Sequence, residues 1–166
     1  MPVSDDLAFP LLRAFGRLES QLKLRPQFLG ADRYDNAQAN WSAVLDFVAA
    51  LDPADFVERV SVDTRRKMLA GDRNRPKVQK VVIEDGRRKA RFRYRNLDQD
   101  NLPRSDARAL VEAARRVRNN LFHGGKEDPG EQPFDGDDDQ WGQAALDVAQ
   151  RLLELVDRGK FGPVDP

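Results

Sequence analysis

Twelve consecutive residues, Arg115-Arg116-Val117-Arg118-Asn119-Asn120-Leu121-Phe122-His123-Gly124-Gly125-Lys126, gather the side chains best suited to chemistry. His123 is the single histidine among 166 residues, and it stands beside three arginines and two asparagines. An imidazole exchanges protons near neutrality, which suits general acid–base work. A guanidinium is permanently charged and forks onto phosphate oxygens. The combination fits proton transfer at a phosphate, with the histidine moving the proton and an arginine holding the charge that builds. Two local effects act on the histidine in opposite senses. A helix C-terminus favours the imidazolium, and neighbouring arginines oppose it.

The element that must position these residues is legible upstream. Leu110, Ala114, Val117 and Leu121 recur at spacings of four, three and four, which predicts an amphipathic helix starting at Ser105. Gly124 and Gly125 then supply the residue type that closes helices in a left-handed conformation, placing His123 in the last turn. At roughly 100° per residue, Asn119 lies beneath His123, and Arg118 and His123 fall about 140° apart. They form the edges of one polar arc, with Arg115 and Asn119 between them. A phosphate over that arc is within reach of both edges. The same residues also have a plainer reading, in which a histidine at a helix end simply complements the macrodipole.

The pattern Arg118-Asn119-x-x-x-His123-Gly124 resembles the Arg-Asn-x-x-x-His signature of the HEPN superfamily (higher eukaryotes and prokaryotes nucleotide-binding). The resemblance is carried by one helix of about twenty residues, followed, as in that family, by a long final helix. It implies a mainly α, antiparallel helical bundle and a metal-independent endoribonuclease of the toxin or antiviral-defence type. It further implies a homodimer in which the motif helices face each other, with RNA as substrate and an antitoxin or other regulatory protein as a further partner. The catalytic residues implied are Arg118, Asn119 and His123. Toxins of the family that are controlled by nucleotidyltransferase antitoxins carry a tyrosine two residues after the histidine. Here Gly125 stands there, so that mode of control is not expected. The alternative is a non-catalytic HEPN-like module that binds nucleic acid or a protein.

Bulk properties narrow the field. The length suits one domain over residues 1–166 with a real core. Basic and acidic residues balance at 28 each, so no global field steers nucleic acid toward the chain. The absence of cysteine removes disulfides and thiolate metal sites. No Gly-rich phosphate loop, serine elbow or calcium-loop pattern is present, and neither metal nor cofactor is expected. No apolar run approaches a membrane span, and Met1–Asp6 is acidic, so a cytoplasmic protein is expected. One chain supplies one imidazole, whereas attack of a 2′-hydroxyl wants both a base and an acid. Two chains paired about a two-fold axis supply two.

Around the motif helix the remaining elements fall in order. A helix capped by Ser4 presents Leu7, Leu11, Phe15, Leu18 and Leu22, with Pro10 expected to kink its first turns. Gln27–Arg33 reads as a connection broken at Gly30. A second helix is predicted from Asp35 to Leu51, and shorter helical pieces through Val60 and from Ser61 to Ala70. Residues 71–104 read as a basic hairpin insertion turning at Asp85-Gly86. In its second strand Lys89, Arg91, Arg93 and Arg95 alternate with Ala90, Phe92 and Tyr94, whose face is expected to lie on the helices. Residues 65–95 hold thirteen cations against three carboxylates, a net of +10. Such a surface suits a polyanion, although edge strands are also charged to prevent aggregation. The candidate RNA contacts are therefore Arg115, Arg116, Lys126, Lys89, Arg91 and Arg93. An acidic loop then leads into a last helix from Asp138 to Arg158. The tail, 159–166, is expected to be flexible.

Overall fold

Ser4 opens the first helix, but not through its hydroxyl. In the computed structural model, which describes residues 3–121, 134 and 136–166, α1 spans Asp5–Lys23. The Ser4 N–H donates to an Asp139 carboxylate oxygen at 2.8 Å, tying the start of α1 to the start of the last helix. Leu11, Phe15, Leu18 and Leu22 are buried along one stripe. Pro10 stays inside a continuous helix. Its position is exposed, so water can serve the carbonyl that loses its intrahelical donor.

The stretch after α1 departs from expectation. Gly30 is not a breaker but the middle of a short strand, β1 (Leu29–Ala31), paired antiparallel with β2 (Ala37–Ala39). The helix expected from Asp35 begins later, as α2 (Trp41–Ala50). The cause is turn chemistry. One Asp32 carboxylate oxygen accepts from the Tyr34 N–H at 2.8 Å and the Asn36 N–H at 2.9 Å, and Asp35 takes a φ of 62°. That reversal cannot be helical, so capping passes to Asn40, whose side chain accepts from the Ala43 N–H at 3.1 Å. Two 3-10 turns at Pro53–Asp55 and Val57–Arg59 follow, then α3 (Val62–Leu69), capped by the Ser61 hydroxyl.

The last helix, α5 (Asp138–Asp157), packs against α1, α3 and α4, while α2 packs on α4. Its Trp141, Ala145, Val148, Leu152, Leu155 and Val156 are buried at helical spacing. A Schellman motif closes it. Gly159, at a φ of 72°, donates to the Val156 carbonyl, and Lys160 donates to that of Leu155. The tail beyond, expected to be flexible, is instead docked. Phe161 is buried against Phe28 and Phe47, at centroid distances of 5.1 and 4.5 Å. The Arg25 Nε donates to the Gly162 carbonyl at 2.9 Å. One large aromatic side chain outweighs the turn-forming residues around it. The chain is mainly α, and among the described residues no helix is long and apolar enough to cross a membrane.

The hairpin forms as β3 (Val78–Glu84) and β4 (Arg87–Arg93), with positive φ at both Asp85 and Gly86. This is the backbone that a two-residue turn of matching twist requires. Strand register places Val81 opposite Ala90 and Gln79 opposite Phe92. Only Phe92 of the expected packing face is buried. Tyr94 is 51% exposed, and Val81 and Ile83 are 60% and 69% exposed. The hairpin is therefore held at its base rather than laid flat on the helices.

That base is fastened by helix α4 (Asp106–Asn120). The Arg116 guanidinium donates to the carbonyls of Arg95 at 2.6 Å, Asn96 at 3.0 Å and Pro76 at 3.3 Å. One turn on, the Asn120 amide donates to the Lys77 carbonyl at 2.8 Å. Arg73 adds ion pairs to Asp98 at 2.7 Å and Asp106 at 2.5 Å. Arg116 is only 5% exposed, so removing it strands the buried Pro76 carbonyl and leaves those of Arg95 and Asn96 partly buried without their donor. Arg116→Ala should cost about 3 kcal/mol in urea unfolding and lower hydrogen-exchange protection across the hairpin, whereas Arg116→Lys should recover part of the loss. Unchanged stability would show that the base is held by something else.

Candidate functional site

Helix α4 positions the motif by burying one face and leaving another polar. Ser105 caps it, its hydroxyl accepting from the Arg108 N–H at 3.2 Å. Leu110, Ala114 and Val117 are fully buried. Leu121, the fourth residue of the expected stripe, stands at the C-cap and packs against the core while partly buried. His123, Gly124, Gly125 and Lys126 lie outside the described residues.

Arg118 leaves α4 toward α1. It pairs with the Glu19 carboxylate, and its Nε donates to the Asn119 side-chain oxygen at 2.9 Å. Its guanidinium carbon lies 5.0 Å from the centre of the Phe15 ring. Arg115 is held in the same manner one turn earlier. It pairs with Glu112 at 3.2 Å and lies 4.9 Å from the centre of the Trp41 ring. The Phe15 and Trp41 rings meet at 6.0 Å, so the two aromatic platforms are continuous. Burial pushes the Arg115 pKa down, and Glu112 pulls it back up. An arginine titrates so far above neutrality that it stays charged. The two guanidiniums thus lie side by side along this edge between two carboxylates, in the order Glu112, Arg115, Arg118, Glu19.

Arg116 corrects the sequence reading. Expected to touch an RNA backbone, it is buried and committed to the carbonyls at the hairpin base. The cause is its place on the helix. At about 100° per residue it stands roughly 160° around the axis from Arg118, on the flank that meets the hairpin. The structure therefore brings Arg115, Arg118 and Asn119 together and separates Arg116 from them. Glu19, Phe15 and Trp41 are site residues that sequence reasoning missed. Glu112 carried a local signal, since it precedes Arg115 and Arg116 at helical pair spacing. Nothing local marks Glu19, which lies 99 residues from its partner.

On the hairpin, Lys89, Arg91 and Arg93 do share one face, and Glu84 sits among them. Arg91 contacts Glu84 with two nitrogens, at 3.0 and 2.9 Å, while Lys89 and Arg93 stand at 3.7 and 3.9 Å. With Lys80 and Arg87, this face carries five cations and one carboxylate. Among the described residues, no group of three or more histidine, cysteine or acidic side chains is placed to hold a metal ion.

The hydrogen bonds from Arg91 hold the Glu84 carboxyl below the usual range, against an opposing effect of desolvation, with the charges of Arg91, Lys89 and Arg93 adding to the lowering. A depressed folded-state pKa means that the pairing favours the folded hairpin above the ordinary glutamate value. The contribution is lost as pH falls through the lowered one. Carboxyl NMR titration should find Glu84 protonating at lower pH than an unperturbed glutamate, and Arg91→Gln should move it upward. An unshifted titration in the wild type would contradict this geometry.

No protein-family model, no curated protein and no solved structure matches the chain, so a functional reading rests on these residues and their geometry.

Proposed function

We propose that the chain is a metal-independent endoribonuclease of the toxin or antiviral-defence type, acting on RNA in the cytoplasm as a HEPN-like homodimer. The observation that carries the reading is the setting of Arg118 and Asn119. They are hydrogen-bonded to each other at the C-terminal end of α4, and Arg118 is braced by Glu19 and Phe15 with about a fifth of its side chain exposed. A charged group held in place before the substrate arrives is what stabilises charge building on a phosphate.

In this reading the RNA 2′-oxygen attacks the adjacent phosphorus and the bond to the 5′-oxygen breaks. The products are a 2′,3′-cyclic phosphate and a 5′-hydroxyl. His123 of one chain takes the proton of the attacking hydroxyl, and His123 of the other donates one to the departing oxygen. Arg118 meets the non-bridging phosphate oxygens. Asn119 orients the phosphate or the imidazole. Arg115 and Lys126 contact the backbone near the motif, and Lys89, Arg91 and Arg93 offer a second footing on the hairpin. An antitoxin or other regulatory protein is the partner that such an activity calls for.

A second reading, a non-catalytic module that binds nucleic acid or a protein, is favoured by the Glu19 ion pair, because it already neutralises Arg118. Cleavage decides between the two. His123→Ala and Arg118→Ala should each lower RNA cleavage roughly 10²–10⁴-fold with the helical circular dichroism intact. Glu19 is 28% exposed, so water can solvate it when Arg118 is removed. Wild-type activity should persist in excess chelator and leave cyclic phosphate ends. RNA bound but uncut by the wild type would select the second reading.

The dimer is tested separately. Mixing Arg118→Ala with His123→Ala subunits should restore part of the activity, since some mixed dimers hold one intact arginine–histidine pair across the two-fold axis. A fully active monomer in light scattering would end the shared-site scheme.

A further inference from the structure

The polar stripe of α4 runs from Asn119 back through Arg115 and Glu112 to Arg108, at spacings of four, three and four. At its start lies a cavity of about 340 Å³ between α2, α4 and the chain leaving the hairpin. Arg115 lines it, only about 4.5 Å along the helix axis from Arg118. We propose that this cavity is a nucleotide subsite, taking one base and phosphate of the RNA strand beside the phosphate held at Arg118. The proposal rests on the ribonuclease reading for its substrate class, and on the cavity for everything else.

The lining has the three kinds of group that a nucleotide needs. The first is a stacking surface. Trp41 and the Arg115 guanidinium form one wall, with Leu102 37% exposed nearby, and bases of single-stranded RNA stack on aromatic rings and arginine planes alike. The second is positive charge. Arg95 is exposed and makes no side-chain hydrogen bond or ion pair among the described residues. Arg108 pairs only at its outer edge, with Asp46 at 3.2 Å. The lining carboxylates do not cancel these cations, because Asp98 is committed to Arg73, and Glu112 to Arg115 and Arg116. The third is a pair of side-chain amides: Gln99, which can donate to and accept from a base edge, and Asn96, whose oxygen already accepts from the Asp98 N–H at 3.0 Å and whose amide group can donate.

The volume lies near the small end of the roughly 300–1,000 Å³ range of ligand pockets, suited to one nucleotide rather than a helix or loop of a partner.

The test uses the full chain and two probes: each of the four nucleoside monophosphates, and a single-stranded oligonucleotide made uncleavable by 2′-deoxy substitution. Binding is read by calorimetry and by the indole NMR signal of Trp41, assigned with Trp41→Phe. Nucleotides should shift that signal and inorganic phosphate should not. The oligonucleotide should bind at least about tenfold tighter than any monophosphate, and Arg95→Ala or Gln99→Ala should weaken both by about tenfold. These two positions are exposed, so the variants should fold as the wild type does. If RNA is cut, Gln99→Ala should also change the base preferred next to the cut.

An unmoved Trp41 signal would overturn the subsite, as would phosphate competing as well as a nucleotide. Monophosphates binding as tightly as the oligonucleotide would overturn its assignment to an RNA strand. Nucleotide binding at Trp41 without any cleavage would uphold the subsite and remove the ribonuclease reading. Cleavage with no nucleotide effect at Trp41 would do the reverse.

Discussion

The hydrogen bonds from Arg116 and Asn120 to the two legs of the hairpin are the constraint on which most of this structure depends. A guanidinium that is 5% exposed must find acceptors, because an unpaired buried charge costs several kcal/mol. Here the acceptors are carbonyls from both sides of the hairpin, at Pro76 on one leg and Arg95 and Asn96 on the other. A rigid helix thereby sets the spacing of two irregular segments. The segment that follows the hairpin forms a wall of the cavity beside α4, so that cavity exists only because the base is fastened.

The same helix does three jobs on three flanks. One flank, with Leu110, Ala114 and Val117, enters the core. A second, with Arg116 and Asn120, holds the hairpin. The third carries Arg115 and Arg118 on their aromatic platforms. A 3.6-residue period makes this division possible, since positions one or two apart face different ways. It also explains why adjacent arginines, Arg115 and Arg116, have unrelated surroundings.

Glu19 and Glu112 set a balance on the third flank. They orient two arginines that would otherwise sample many rotamers, and they reduce the net charge that a phosphate meets. The paired side chains are only 20% to 28% exposed, so a phosphate that reaches either guanidinium must compete with a carboxylate already held there.

Much of the architecture follows from rules that act within one turn of chain. The spacing of apolar residues marks α1, α4 and α5, Ser105 marks the start of α4, and Asp85-Gly86 marks the hairpin turn. Those signals reside in the sequence because capping, amphipathicity and turn geometry are local. The strand pair β1–β2 escaped notice because its reversal is made by one carboxylate, Asp32, rather than by glycine or proline. The docked tail escaped because a single residue, Phe161, decides it. Local rules thus account for the long helices, the hairpin turn, and the place of Arg118 and Asn119 near a helix end. That Arg118 meets Glu19, that Arg116 is buried and that Arg115 lines a cavity follows instead from the packing of distant elements. Those outcomes depend on groups brought together from 20 to 99 residues away, and no local spacing encodes which distant partner a charge will find.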